Sequence, residues 1–141
     1  MMESNTQSIL DQIDRLVNLE GDPCDFGCNE ADVDAMIARA KELFPNKPYC
    51  IVTSWCWADI SSDQAFMGAV RELGSEPCFI YADCVLADEI GRIAKGSFVK
   101  TSLLVSFHHN CIFSTRNTLY ILVGSGTRMT VSREAFSQLI L

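Results

Sequence analysis

The chain has 141 residues, enough for one domain, and 48% of them are apolar. That content builds a core without metals or disulfides and excludes intrinsic disorder. Eighteen acidic against 11 basic side chains leave a formal net charge of −7, which argues against direct nucleic-acid binding and suits solubility or docking onto a basic protein surface.

Polar residues 1–7 lack the basic and apolar regions of a signal peptide. No apolar run approaches the ~18–20 residues that span a bilayer. The expectation is a cytoplasmic protein with no membrane contact, its seven cysteines held as reduced thiols.

Ile9, Leu10, Ile13, Leu16 and Val17 recur at helical spacing, with Gly21 as the stop. Residues 21–28 read as a loop from their Gly, Pro and Asp content. A second helix is expected from Asn29 as N-cap, with Glu30 and Asp32 in the first turn. Its apolar face is Val33, Met36, Ile37, Ala40, Leu43 and Phe44, and Pro45 ends it. The β-branched and aromatic run 49–57 predicts a strand. Period-two alternation assigns Tyr49, Ile51, Thr53, Trp55 and Trp57 to one face, continued by Asp59, and Cys50, Val52, Ser54 and Cys56 to the other. Ser61 with Gln64 predicts a capping box for a short helix bearing Phe66, Ala69, Val70 and Leu73, stopped by Gly74.

Further strands are expected at 78–86, 98–107, 111–113, 119–123 and 128–131. Turns are expected near Asp88 and Gly91, at His108-His109-Asn110, at 114–117 and at Gly124-Ser125-Gly126. Connections this short imply antiparallel pairing. Ser132 caps a last helix carrying Phe136, Leu139 and Ile140. The expected fold is α+β: N-terminal helices and a short middle helix on a twisted, mostly antiparallel sheet of about five strands, with a short C-terminal helix. A partly closed small barrel is the alternative. Residues 1–141 form a single domain, with 1–22 the only segment that could be a peripheral helix.

The metal candidates are Cys24 and Cys28, spaced C-x3-C, with His108, His109 and Cys111. Thiolates and imidazoles suit tetrahedral zinc, but the pairs are not zinc-knuckle pairs, and small loop cysteines with solvated turn histidines are the simpler reading. Cys56 or Cys84 beside a histidine could serve as a nucleophile, but cysteines inside apolar strands behave as small hydrophobes. Gly124 to Thr127 lacks the Lys and following helix of a phosphate loop and reads as a hairpin turn. Asp83, Asp88 and Glu89 have no spacing that singles out an acid–base pair. Trp55 and Trp57, with Asp59, are either core or a binding hot spot, the core reading being preferred. Arg116 and Asn117 form the most distinctive polar run, and their side chains are expected to pin a turn or to line a pocket near Trp55 or Trp57.

The runs Phe44-Pro45-Asn46-Lys47-Pro48-Tyr49-Cys50-Ile51-Val52 and Trp55-Cys56-Trp57-Ala58-Asp59 resemble a family of short uncharacterised phage and prophage proteins, a domain of unknown function. Ile80-Tyr81-Ala82, Gly96-Ser97-Phe98-Val99-Lys100-Thr101-Ser102 and the stretch from Phe113 through Arg116-Asn117 to Gly124 match it better still. The resemblance covers residues 40–130, so the first helix and the Cys24–Cys28 loop lie outside it. It implies a non-enzymatic accessory protein without a cofactor. Such a protein binds and modulates a host protein complex, as anti-CRISPR inhibitors of host defence do. The alternatives are a small enzyme or ligand-binding protein with a pocket at Arg116 and Asn117, and a homo-oligomer that buries Trp55 and Trp57 between subunits.

Overall fold

The computed structural model describes residues 2–139; Ile140, assigned above to the last helix, lies outside them. The described residues form helices α1 (Met2–Val17), α2 (Val33–Leu43), α3 (Gln64–Glu72) and α4 (Arg133–Gln138). The strands are β1 (Asp22–Cys24), β2 (Tyr49–Ser61), β3 (Cys78–Asp88), β4 (Val99–Lys100), β5 (Ser106–His108), β6 (Ile112–Ser114), β7 (Leu119–Val123) and β8 (Gly126–Ser132). The class is α+β, with a sheet of eight strands rather than about five.

Side-chain caps set the starts of α3 and α4. Ser132 caps α4 as expected, its hydroxyl accepting from the Ala135 N–H at 3.1 Å. The cap of α3 is Asp63 and not Ser61, the Asp63 carboxylate accepting from the Phe66 N–H at 2.8 Å. Ser61 is unavailable because β2 runs on to it and pairs it with Ser132. Asn29 makes no side-chain cap and leads into a 3-10 turn, so α2 starts only at Val33.

The sheet is mixed, and β2 is its spine. Along one edge β2 pairs antiparallel with β3. The other edge is divided between two parallel partners, β7 against residues 49–53 and β8 against residues 56–61. Gly124 has a positive φ of 75°, but no hairpin forms there: β7 and β8 find their hydrogen bonds in β2 and not in each other. The rule that short links imply antiparallel pairs fails at this point for that reason. β1, read above as loop, pairs antiparallel with the outer edge of β8.

The expected strand 98–107 is divided into β4 and β5, but its ladder is continuous. β4 pairs with β3, the Thr101 and Leu104 N–H groups donate to Ile80 and Cys78 carbonyls, and the Val105 N–H donates to Ser114 at 2.8 Å. β5 pairs with β6 and β6 with β7, which returns the path to β2. The ladder thus closes into a small barrel, which removes most free edges.

Ser54 sits in the left-handed region at φ 53° and shifts the alternation of β2 by one residue. Cys50, Val52, Trp55 and Trp57 therefore share the barrel interior with Ile80, Phe113 and Leu122, correcting the uninterrupted period-two assignment. Ile51 faces outward beneath Ala40 of α2. Cys56, Ala58 and Ile60 face outward beneath Leu16 of α1 and Ala135 of α4. The first helix is docked on the domain: Leu16 is fully buried and the Gln12 side chain accepts from the Ser132 N–H at 2.6 Å.

The left-handed turn at Ser54 yields a paired test by chemical denaturation. Ser54→Gly retains or raises stability. Ser54→Val lowers it by about 1–2 kcal/mol, the cost of a Cβ in this region made worse by β-branching.

Candidate functional site

Trp55 and Trp57 enter the same interior by different means. Trp55 is fully buried, and its indole N–H donates to the Gly124 carbonyl at 2.9 Å. Trp57 packs edge-on against Phe107 and Phe113, with ring centroids 5.0 and 5.1 Å away, and against Phe26 from the β1–α2 loop at 5.3 Å. Only 5% of Trp57 is exposed, so neither indole forms an open docking surface in the monomer.

The Trp57 N–H leaves the core to meet Asp59 Oδ1 at 3.1 Å. Period two along β2 puts Asp59 on the same face, and the parallel pairing sets Arg128 of β8 beside Trp57. Arg128 grips Asp59 twice, Nε to Oδ2 at 2.7 Å and Nη2 to Oδ1 at 3.1 Å, while its guanidinium lies 5.1 Å from the Trp57 ring centre. Hydrogen bonding to Asp59 raises the Arg128 pKa. These groups line a cleft of about 290 Å³ whose far side carries Arg71 and Glu76, paired at 3.2 Å. Arg71, Glu76 and Arg128 escaped the sequence reading. The Arg128–Asp59 contact spans 69 positions, and no local spacing signals it.

Arg116 and Asn117 lie elsewhere. They are exposed at the tip of the β6–β7 turn and line a separate shallow groove with Leu73 and Ser102. Neither Trp55 nor Trp57 borders that groove, so the expected grouping does not form. Nor do their side chains pin the turn. Thr115 and Thr118 do, through Thr115 N–H to Thr118 O at 2.9 Å and Thr115 Oγ1 to Thr118 O at 3.1 Å.

The candidate metal ligands are scattered. Cys24 points into the barrel core, whereas Cys28 packs with Cys111 under α2. His108 bonds Ser106 Oγ at 2.8 Å and packs edge-on against Phe44, and His109 is exposed in the turn. Among the described residues, no group of three or more His, Cys, Asp or Glu side chains could hold a metal ion. Burial pushes the thiols of Cys50, Cys78 and Cys111 up to about 12 and also raises those of Cys28 and Cys56. Thiols so held are poor nucleophiles.

Charge is distributed unevenly. Residues 1–43 carry ten carboxylates and three basic side chains, which accounts for the whole −7; residues 44–141 carry eight of each. Glu20, Asp22, Asp25, Glu30, Asp32 and Asp34 are all exposed in the segment that runs through the edge strand β1, with no basic residue between 16 and 38. None of the six forms an ion pair with a described side chain.

These features define an α+β barrel domain with an acidic flank and a thiol-rich interior. Residues 25–138 match a domain of unknown function, DUF6957, and the chain belongs to that family. The match is wider than the resemblance over 40–130 and takes in Cys28, but it leaves out α1. No curated protein and no solved structure matches the chain. No described helix is long and apolar enough to cross a membrane.

Two measurements follow from the thiols. Native protein treated with iodoacetamide is modified at Cys28 and Cys84 at most, the five other cysteines being buried, and at all seven after denaturation. Stability also falls with alkali. A thiol raised in the folded state binds its proton where the unfolded chain has lost it, so the stabilisation is complete below the ordinary value of 9.0 and drains away towards about 12. Lys47 and Lys100, lowered by burial, oppose this weakly because each ammonium keeps two hydrogen bonds. The melting temperature therefore drops by on the order of 10 °C from about pH 8 to about pH 11, and less steeply in Cys50→Ala.

Proposed function

We propose that this protein is a non-enzymatic binding protein that occupies a basic surface of a protein partner through its acidic flank. The supporting observation is the segregation of charge: the entire negative excess lies in residues 1–43, and six exposed carboxylates between Glu20 and Asp34 have no partner among the described residues. Unpaired carboxylates of one sign on one flank steer association with a basic patch and exclude phosphate backbones. The burial of Cys56, which raises its thiol pKa, and the separation of Arg116 from the tryptophans favour binding over catalysis at those residues.

The phage or prophage setting implied by the resemblance supplies the kind of partner. In an infected bacterium that partner is a host protein complex with a surface that normally holds nucleic acid, and occupying it inhibits host defence in the manner of an anti-CRISPR protein. The docking chemistry does not depend on that setting.

The test is an affinity capture from bacterial lysate using the wild-type chain beside an Asp22→Asn, Asp25→Asn, Asp32→Asn variant, at low and high salt. One partner retained near-stoichiometrically at about 0.05 M salt should be lost at about 0.5 M, where screening shortens the reach of charge to a few ångströms. The variant should bind at least about tenfold more weakly. A partner held equally by both proteins and at both salt concentrations would show that the acidic flank is not the docking surface.

A further inference from the structure

The cleft between β2, β8 and α3 has a charge pattern that docking through the acidic flank does not use. Its rim holds two ion pairs, Arg128–Asp59 and Arg71–Glu76, above a floor built from Trp57, Met67 and Leu104. Arg128 commits Nε and Nη2 to Asp59, and Arg71 commits only Nε, to Glu76 Oε2. A guanidinium has five N–H donors, so both arginines keep donors to offer, and Glu76 keeps its second oxygen.

The rim carries equal numbers of positive and negative groups. A simple anion or cation entering it meets as much repulsion as attraction. A ligand bearing one charge of each sign, a few bonds apart, meets a partner for both. The volume of about 290 Å³ is at the small end for ligand sites, and the floor is apolar.

We propose that this cleft binds a free α-amino acid with an apolar side chain. The carboxylate faces Arg71 and Arg128, the ammonium faces Glu76, and the side chain lies on Met67 and Leu104. Trp57, whose indole N–H is held by Asp59, sits at the base of the site and reports occupancy. Trp55, buried and bonded to Gly124, reports the integrity of the fold.

The experiment is an NMR titration of the two tryptophan indole N–H signals with L-methionine. The controls are 4-(methylthio)butanoate, which lacks the amine, and 3-(methylthio)propylamine, which lacks the carboxylate. The Trp57 signal should move saturably with a dissociation constant on the order of 1 mM, while the Trp55 signal stays fixed. Each single-charge analogue should bind at least about tenfold more weakly. Arg71→Gln and Glu76→Gln alter half-exposed side chains, so the Trp55 signal should persist in both while methionine affinity falls by a similar factor. No movement of Trp57 at about 50 mM, an analogue binding as well as methionine, or unchanged affinity in Arg71→Gln would each overturn the assignment. None of these results bears on the acidic flank, so the two proposals fail separately.

Discussion

The fold depends on how Trp55 is seated. Its indole N–H bonds the Gly124 carbonyl at the place where β7 ends and β8 begins. Its ring rests against Gly126, where an added Cβ would fall 2.5 Å from the Trp55 carbonyl oxygen, and against Gly27, where one would lie 3.3 Å from the ring edge. One residue earlier, Ser54 takes the left-handed turn that aims Trp55 inward. Three separated segments therefore meet at a single side chain. The neighbour of β2 changes there from β7 to β8, and only glycines allow the backbones to come so close.

Much of this was legible in residues that act locally. The 3–4 spacing of Val33, Met36, Ile37 and Ala40 marked α2, and Ser132 announced α4 by the physics of its cap. Period two placed Asp59 on the face of Trp57, and the structure joins them. What escaped detection was long-range. Ser54 carries no mark of a left-handed residue, because serine adopts that region only when tertiary contacts impose it. Gly124-Ser125-Gly126 has the composition of a hairpin, and only the presence of β2 as a shared partner makes it a step along one edge. Asp22-Pro23-Cys24 is a poor strand by propensity and becomes one because β8 offers it a ladder. Arg128 meets Asp59 across the sheet, and no spacing rule reaches that far.

The barrel also sorts the chemistry of the chain. Cysteines that looked like ligands or nucleophiles are mostly packed as hydrophobes: Cys24 inside the barrel, Cys28 and Cys111 beneath α2, and Cys56 beneath α1 and α4, with Cys84 left half-exposed. Charged side chains are left to the rim, where β2 and β8 project Asp59 and Arg128, and to the segment around β1. Arg116, with the most conspicuous side chain in its turn, has no described hydrogen-bond or ion-pair partner; the threonines on either side hold the backbone.

The division of the β2 edge governs how the molecule is made. Thr53 bonds Val123 across 70 positions, and neither β7 nor β8 exists until long after β2 has been synthesised. The hairpin-like pairing with β3 is available early, but for about 60 residues of translation the other edge of β2 has no strand to meet, and Trp55 and Trp57 lack their cover. Closing contacts of this span make folding slow, and an apolar strand with a free edge is where nascent chains associate wrongly. Synthesis therefore passes through a window of vulnerability that ends only when residues 119–132 arrive.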